Sequence, residues 1–187
     1  AGAPLVALVH APARSNWGTF APDVLCKGFA CGVFAFGDGA VEGDGYLPAA
    51  AGLDVVAHEF THGIASTLGA EQHFTWRPGE AAALGEGIAD VFGALAELWH
   101  AAETGGDTRL EATRGLIGER SHVSGKPIRD LGTPSNTGGA EHMSQYVDRA
   151  DAYYENSTIV SHAWYLMTFG GASALSGRVV GGIGFEQ

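Results

Sequence analysis

Five consecutive residues, His58-Glu59-Phe60-Thr61-His62, combine types and spacing that suit metal-assisted hydrolysis. On a helix, two histidines four apart project from one face about one turn apart, so both imidazoles can grip a single ion. Zinc accepts such nitrogen ligands, and a hydrolytic zinc site keeps one position open for water. Glu59 lies at the edge of the same face, where its carboxylate can take a proton from water that the metal activates. The plain alternative is a pair of surface histidines that fall at this spacing by chance.

A second set of chemical residues lies on the segment 80–104, which is nearly apolar all round: Ala81, Ala82, Ala83, Leu84, Ile88, Val91, Phe92, Leu95 and Leu98. Such a pattern predicts a central, buried helix. Glu86, Asp90 and Glu97 fall at offsets of four and eleven residues, which puts all three on one stripe of that helix. Burying unpaired carboxylates is costly, so these need cations or strong partners, unless the stripe is simply solvated. If this helix packs antiparallel on the one that carries the histidines, Glu86 and Asp90 come opposite His58 and His62. Asp54, one turn before His58, then falls near Glu97. The result is one site of two histidines and a glutamate, suited to zinc, and a second, all-oxygen site suited to calcium.

The elements that must position these residues are legible in outline. The motif helix should run over 52–68 and stop at Gly69, with a polar loop over 70–79. Residues 5–9 read as a buried strand, 11–27 as loop, and 33–36 as a second strand closed by Gly37-Asp38-Gly39. Residues 107–139 read mostly as loop, with a short helical turn near 108–114, and a last helix spans 157–169 before a Gly-rich tail. The expected architecture is α+β: a β-rich amino-terminal portion over 1–50 and a helical, zinc-binding portion over 51–187, read as one continuous unit.

The totals narrow the partners. The chain has 187 residues, 45% of them apolar and 17% charged, with 29 glycines, which suits a loop-rich globular protein. Net charge is -11 with ten Lys+Arg and no basic run, which argues against nucleic acid or an anionic membrane as partner. No apolar run reaches transmembrane length, and the opening Ala1-Gly2-Ala3-Pro4 lacks the pattern of an export leader, so any such segment is expected to be already removed. Cys26 and Cys31 read as a small-loop disulfide if the protein is secreted, or else as reduced thiols. The acidic balance suits both calcium binding and extracellular life.

Several motifs occur in a fixed order: Phe36-Gly37-Asp38-Gly39; Leu53-Asp54-Val55-Val56-Ala57 leading into His58-Glu59-Phe60-Thr61-His62; Gly85-Glu86-Gly87-Ile88-Ala89-Asp90-Val91-Phe92-Gly93; Ile128-Arg129-Asp130; and Asn156-Ser157-Thr158-Ile159-Val160. Together they resemble the catalytic core of the thermolysin-like zinc metallopeptidases over roughly residues 30 to 184. The resemblance implies His58, His62 and Glu86 as zinc ligands, Glu59 as general base, and Asp90 as the group that orients the His58 ring. It implies that Arg129 binds a substrate carbonyl and shapes the pocket for the residue after the cleaved bond, with an ordinary surface arginine as the alternative. Asp54, Glu97 and Glu119 match calcium ligands, although Asp54 also reads as a helix cap. Leu116 stands where the family has a further glutamate, which counts against a double calcium site.

Other positions depart from the family. Its oxyanion-stabilising histidine is replaced by Tyr154, so the expectation is a working but slowed enzyme. The family tyrosine upstream of the glutamate ligand has Trp76 as its nearest aromatic counterpart, and the substrate-binding asparagine aligns with Cys26, or with Asn16 if a gap is allowed. The family's carboxy-terminal lobe is missing after Gly184, so a second chain that supplies it is an expected partner, the alternative being a processed or truncated piece. The function implied is zinc-dependent endopeptidase action on peptides, with Ile128 and Val55 favouring an apolar residue after the cleaved bond. The competing reading is a catalytically weak zinc-binding interaction module of the same fold.

Overall fold

Leu53–Thr67 forms helix α1 and Glu80–Glu103 the longer helix α2 in a computed structural model that describes residues 5–10, 18–22, 32–39, 45–67, 79–105 and 114–185. The expectations for Asn16, Trp76 and the Cys26/Cys31 pair lie outside the described residues, as do those for the loop over 70–78 and the turn over 108–113. Helix α1 follows a single 3-10 turn, Ala49–Ala51, and carries Asp54 in its first turn, where the helix dipole favours negative charge. Alanine, the strongest helix former, recurs along α2, whose end is closed by Thr104: its hydroxyl donates to the His100 carbonyl at 2.8 Å.

Three glycines inside α2, Gly85, Gly87 and Gly93, run against helix propensity, at about 1 kcal/mol each relative to alanine, and the packing explains the last two. A Cβ on Gly93 would sit 2.7 Å from the Asp54 carbonyl oxygen on α1, and one on Gly87 would sit 2.6 Å from that of Ser157. Ser157 belongs to the last helix, α3, Tyr153–Phe169. The glycines therefore let α2 lie between α1 and α3 at close range. Helix α2 is central, as its composition predicts, but not apolar-buried all round: Phe92 and Trp99 are more than half exposed, at 53% and 60%. Helix α3 starts four residues before the expected 157, so Asn156 lies inside its first turns. Asn156 is buried and brackets the backbone of Val147, accepting from its N–H at 3.0 Å and donating to its carbonyl at 2.9 Å.

The amino-terminal sheet has strands β1 (Leu5–Val9), β2 (Gly18–Pro22) and β3 (Gly32–Phe36) in the order β1-β3-β2, with β1 parallel and β2 antiparallel to β3. Two expectations are corrected here. Strand β2 falls in a stretch read as loop because its ends are Gly18 and Pro22; proline is tolerated there because β2 is an edge strand. Strand β1, read as buried, is the other edge, with Leu8 and Val9 exposed. Phe34 and Phe36 of β3 join Ala49 and Val55 in a buried cluster, and the Phe34 ring stacks on Phe60 of α1 at 4.4 Å. A second cluster of Ala94, Ile117 and Leu131, backed by Trp164 and Tyr165, ties α2 and α3 to a short antiparallel ladder of β4 (Leu116–Ile117) and β5 (Arg129–Asp130). After α3, β6 (Gly171–Ala172) pairs with β7 (Val179–Val180).

Candidate metal centre

The close antiparallel contact of α1 and α2 brings His58, His62 and Glu86 to one point. His58 Nε2 lies 3.1 Å from His62 Nε2 and 3.3 Å from Glu86 Oε2, and His62 Nε2 lies 3.5 Å from Glu86 Oε1. Zinc with bonds of about 2.0–2.1 Å to tetrahedral ligands needs neighbouring ligand atoms about 3.3 Å apart. The three side chains thus fit a zinc ion as they stand. Both histidines are buried, and the Glu86 side chain is close to it at 14% exposure.

The orientation of His58 is fixed from behind. Its Nδ1 donates to Asp90 Oδ1 at 2.9 Å, and Asp90, fully buried, also receives Arg129 as a fork: Nε on Oδ2 at 2.6 Å and Nη2 on Oδ1 at 2.7 Å. Burial would raise the Asp90 carboxyl, but Arg129 and His58 outweigh it and hold the group below the ordinary carboxylate range. Burial would likewise lower His58, yet its bonds to Asp90 and Glu86 push it up to about 10. His62 moves the other way, to about 4, through burial and the charge on His58. Glu86 is held low: burial opposes this, and His58 overcomes it.

Glu59 is buried on α1, immediately after His58. Tyr154 sits in the first turn of α3, half exposed, with its ring centroid 5.7 Å from the Arg129 guanidinium carbon and 4.3 Å from the Tyr153 ring. Its phenol is pushed up by burial and by the nearby Glu86 charge. Arg129, expected to meet substrate, turns two donors onto Asp90, a link across 39 residues that local spacing gave no sign of. The two positions read as favouring an apolar residue after the cleaved bond each have an apolar or backbone neighbour within the fold. Val55 is in the core beneath the sheet, and Ile128 folds over Gly118, where its Cδ1 occupies the place of a Cβ.

Asp54, Glu97 and Glu119 form a second cluster, with one oxygen of each within 4.8 Å of the others. All three are buried. Among the described residues Asp54 Oδ1, Glu97 Oε1 and both Glu119 oxygens have no hydrogen-bond donor, and neither does the Ser121 hydroxyl a partner. Asp54 Oδ2 accepts from the Gly118 N–H. Burial, with the neighbouring carboxylates, raises Asp54 and lifts Glu97 to about 8 and Glu119 to about 7. Orphaned, mutually repelling oxygens suit a hard cation such as calcium. Sequence reasoning missed Ser121 and also Arg120, whose Nε lies 3.6 Å from Glu97 Oε1 and 3.7 Å from Glu119 Oε1. Neither has a signal beyond its place next to Glu119.

Comparison with known proteins agrees with this geometry. A profile of the thermolysin metallopeptidase alpha-helical domain matches residues 76–187, and one of the thermolysin metallopeptidase catalytic domain matches residues 28–66. The chain belongs to the thermolysin metallopeptidase family. The join between the two matches falls between α1 and α2, so the two histidines lie in the catalytic-domain match and Glu86 in the helical one. Thermostable neutral protease NprT of Geobacillus stearothermophilus is 33% identical over 159 residues, 81% of this chain and 26% of the relative. Neutral protease B of Bacillus subtilis (strain 168) is 33% identical over 156 residues, 81% and 25% respectively. Bacillolysin of Bacillus cereus is 29% identical over 193 residues, 100% and 30%. The chain thus spans roughly a quarter of the length of these thermolysin-family relatives. Among the described residues, no helix is long and apolar enough to cross a membrane.

Proposed function

We propose that this chain hydrolyses peptide bonds as a zinc-dependent endopeptidase. The observation that carries the reading is the convergence of His58 Nε2, His62 Nε2 and the Glu86 carboxylate at 3.1–3.5 Å, with Glu59 next to His58 on α1. Zinc held by those three residues would supply a Lewis acid that acidifies water and polarises a carbonyl. Glu59 takes the proton from the attacking water and delivers it to the amine nitrogen as the peptide C–N bond breaks. Asp90, clamped by Arg129, keeps His58 in the tautomer that points Nε2 at the site. The Tyr154 hydroxyl donates to the carbonyl oxygen as negative charge develops on it. Arg129 keeps further donors for a substrate carbonyl, since the guanidinium has five and the Asp90 fork uses two.

Calcium at Asp54, Glu97 and Glu119 stabilises the fold, supported by the orphaned oxygens there. The division at residue 50 into a β-rich and a helical portion, an extracellular location and a second chain that completes the lobe all belong to the same proposal. A catalytically weak zinc-binding module is the second reading, favoured by Tyr154 at the family histidine position. Peptide hydrolysis measured on the purified chain separates the two. The proposal expects turnover that chelation abolishes and zinc restores, and a Glu59→Gln variant that is inactive with one zinc still bound. Absence of hydrolysis in the zinc-loaded chain would favour the module, and loss of zinc from Glu59→Gln would make Glu59 a ligand rather than a base.

A further inference from the structure

The Asp54, Glu97 and Glu119 cluster contains a positive charge that a metal cage does not need. Arg120 Nε stands 3.6 and 3.7 Å from Glu97 and Glu119, within ion-pair range but beyond a hydrogen bond. Its side chain is 45% exposed while the Glu97 and Glu119 side chains are 6% exposed, so the guanidinium approaches from the solvent side. The inward oxygens keep no donor among the described residues. Arginine in a structural clamp meets carboxylates as a bidentate fork, as Arg129 does on Asp90. Arg120 does not. Its contribution is charge at short range rather than bonding geometry.

The charge balance then limits the occupancy. Three carboxylates and one guanidinium leave a formal -2 (three negative, one positive), which a single divalent ion cancels. A second divalent ion would leave an excess of two positive charges in a buried site. Leu116, half-buried on β4, supplies no further carboxylate. We propose that Arg120 is a built-in cation of this cluster, taking the place of a second metal ion, restricting the chain to one calcium and loosening the grip on it. The inference rests on the calcium reading above and concerns how this chain modifies that site.

The test measures calcium binding by calorimetry at low ionic strength on the full zinc-loaded chain, as wild type, Arg120→Gln and Arg120→Lys. The wild type should bind one calcium per chain. Repulsion of a divalent ion by a unit charge about 6 Å away corresponds to about tenfold in affinity even at the dielectric constant of water. Arg120→Gln should therefore bind calcium at least about tenfold more tightly, and Arg120→Lys, which keeps the charge, should stay near wild type. The calcium-induced rise in melting temperature should also be larger in Arg120→Gln. Equal affinity in wild type and Arg120→Gln overturns the role of Arg120 while leaving the calcium site standing. Two calcium ions on the wild type overturn it too, a readout that requires no variant to fold. If no form binds calcium, the calcium reading itself falls, and this inference with it.

Discussion

Asp90 is the side chain on which two functions of the fold meet, and Asp90→Asn tests both. Asparagine keeps the size but has one acceptor oxygen, whereas Asp90 accepts from His58 Nδ1 at 2.9 Å and from Arg129 at 2.6 and 2.7 Å. The amide's NH2 must then face one of these donors, and the Arg129 charge, 13% exposed, loses its counter-ion. Breaking a buried ion pair by removing one partner costs about 3–5 kcal/mol; the isosteric change belongs at the low end, about 3 kcal/mol. For a chain of this size that corresponds to a fall in melting temperature of about 6–12 °C. Loss of the group that orients a histidine ligand should also weaken zinc by about 10–100-fold. The assay is thermal unfolding by circular dichroism at fixed zinc excess, with zinc affinity read by chelator competition. Arg129→Met in the Asp90→Asn background should lose less than the sum of the single losses, by about 1 kcal/mol or more, because the stranded charge is gone. A melting shift under about 2 °C, or strict additivity in the cycle, would show that Asp90 is not the shared acceptor.

Other substitutions report on separate features. Asp54→Ala should abolish the rise in melting temperature that calcium gives the wild type; if Asp54 is only a helix-end residue, the variant is instead destabilised equally with and without calcium. Tyr154→Phe deletes only the hydroxyl and should lower kcat by less than about 100-fold at unchanged zinc content and melting temperature, whereas wild-type turnover would exclude a donor role. Gly87→Ala improves helix propensity but drives a methyl to 2.6 Å from the Ser157 carbonyl oxygen. It should destabilise by about 1–3 kcal/mol in chemical unfolding, and a stabilised variant would contradict the close α2–α3 approach.

The helices were legible because each carries its own periodic pattern: the spacing of His58, His62, Glu86, Asp90 and Glu97 places both clusters once an antiparallel pairing is assumed. The sheet was less so. In β2, Gly18 and Pro22 carry turn chemistry, and only pairing to β3 makes the segment a strand. In β1 the apolar run says strand correctly but burial wrongly, since burial depends on which side of β3 it docks. The start of α3 was placed too late, and Asn156, inside that helix, brackets the backbone of Val147 nine residues away. Long-range pairing hid the rest: no local signal links Arg129 to Asp90 or turns Arg120 toward Glu97, because those partners are chosen by packing rather than by spacing.

Helix α2 carries Glu86 and Glu97 on one stripe, eleven residues apart, a distance of about 16 Å along the axis and a net rotation of only about 20°. Opposite them, α1 presents His62, His58 and Asp54 in the reverse order. The two clusters are thus read off a pair of rulers with a common pitch. Substitutions within either helix can be absorbed one side chain at a time, but a change of length cannot. One residue inserted between Glu86 and Glu97 turns everything beyond it by about 100° and advances it by about 1.5 Å. Whichever half of α2 stays docked, the other presents the wrong face. Apart from the cluster residues and the tightly packed Gly87 and Gly93, the segments 53–67 and 80–103 can therefore drift in sequence while being locked in length, and insertions and deletions among descendants of this chain belong in the connections outside them.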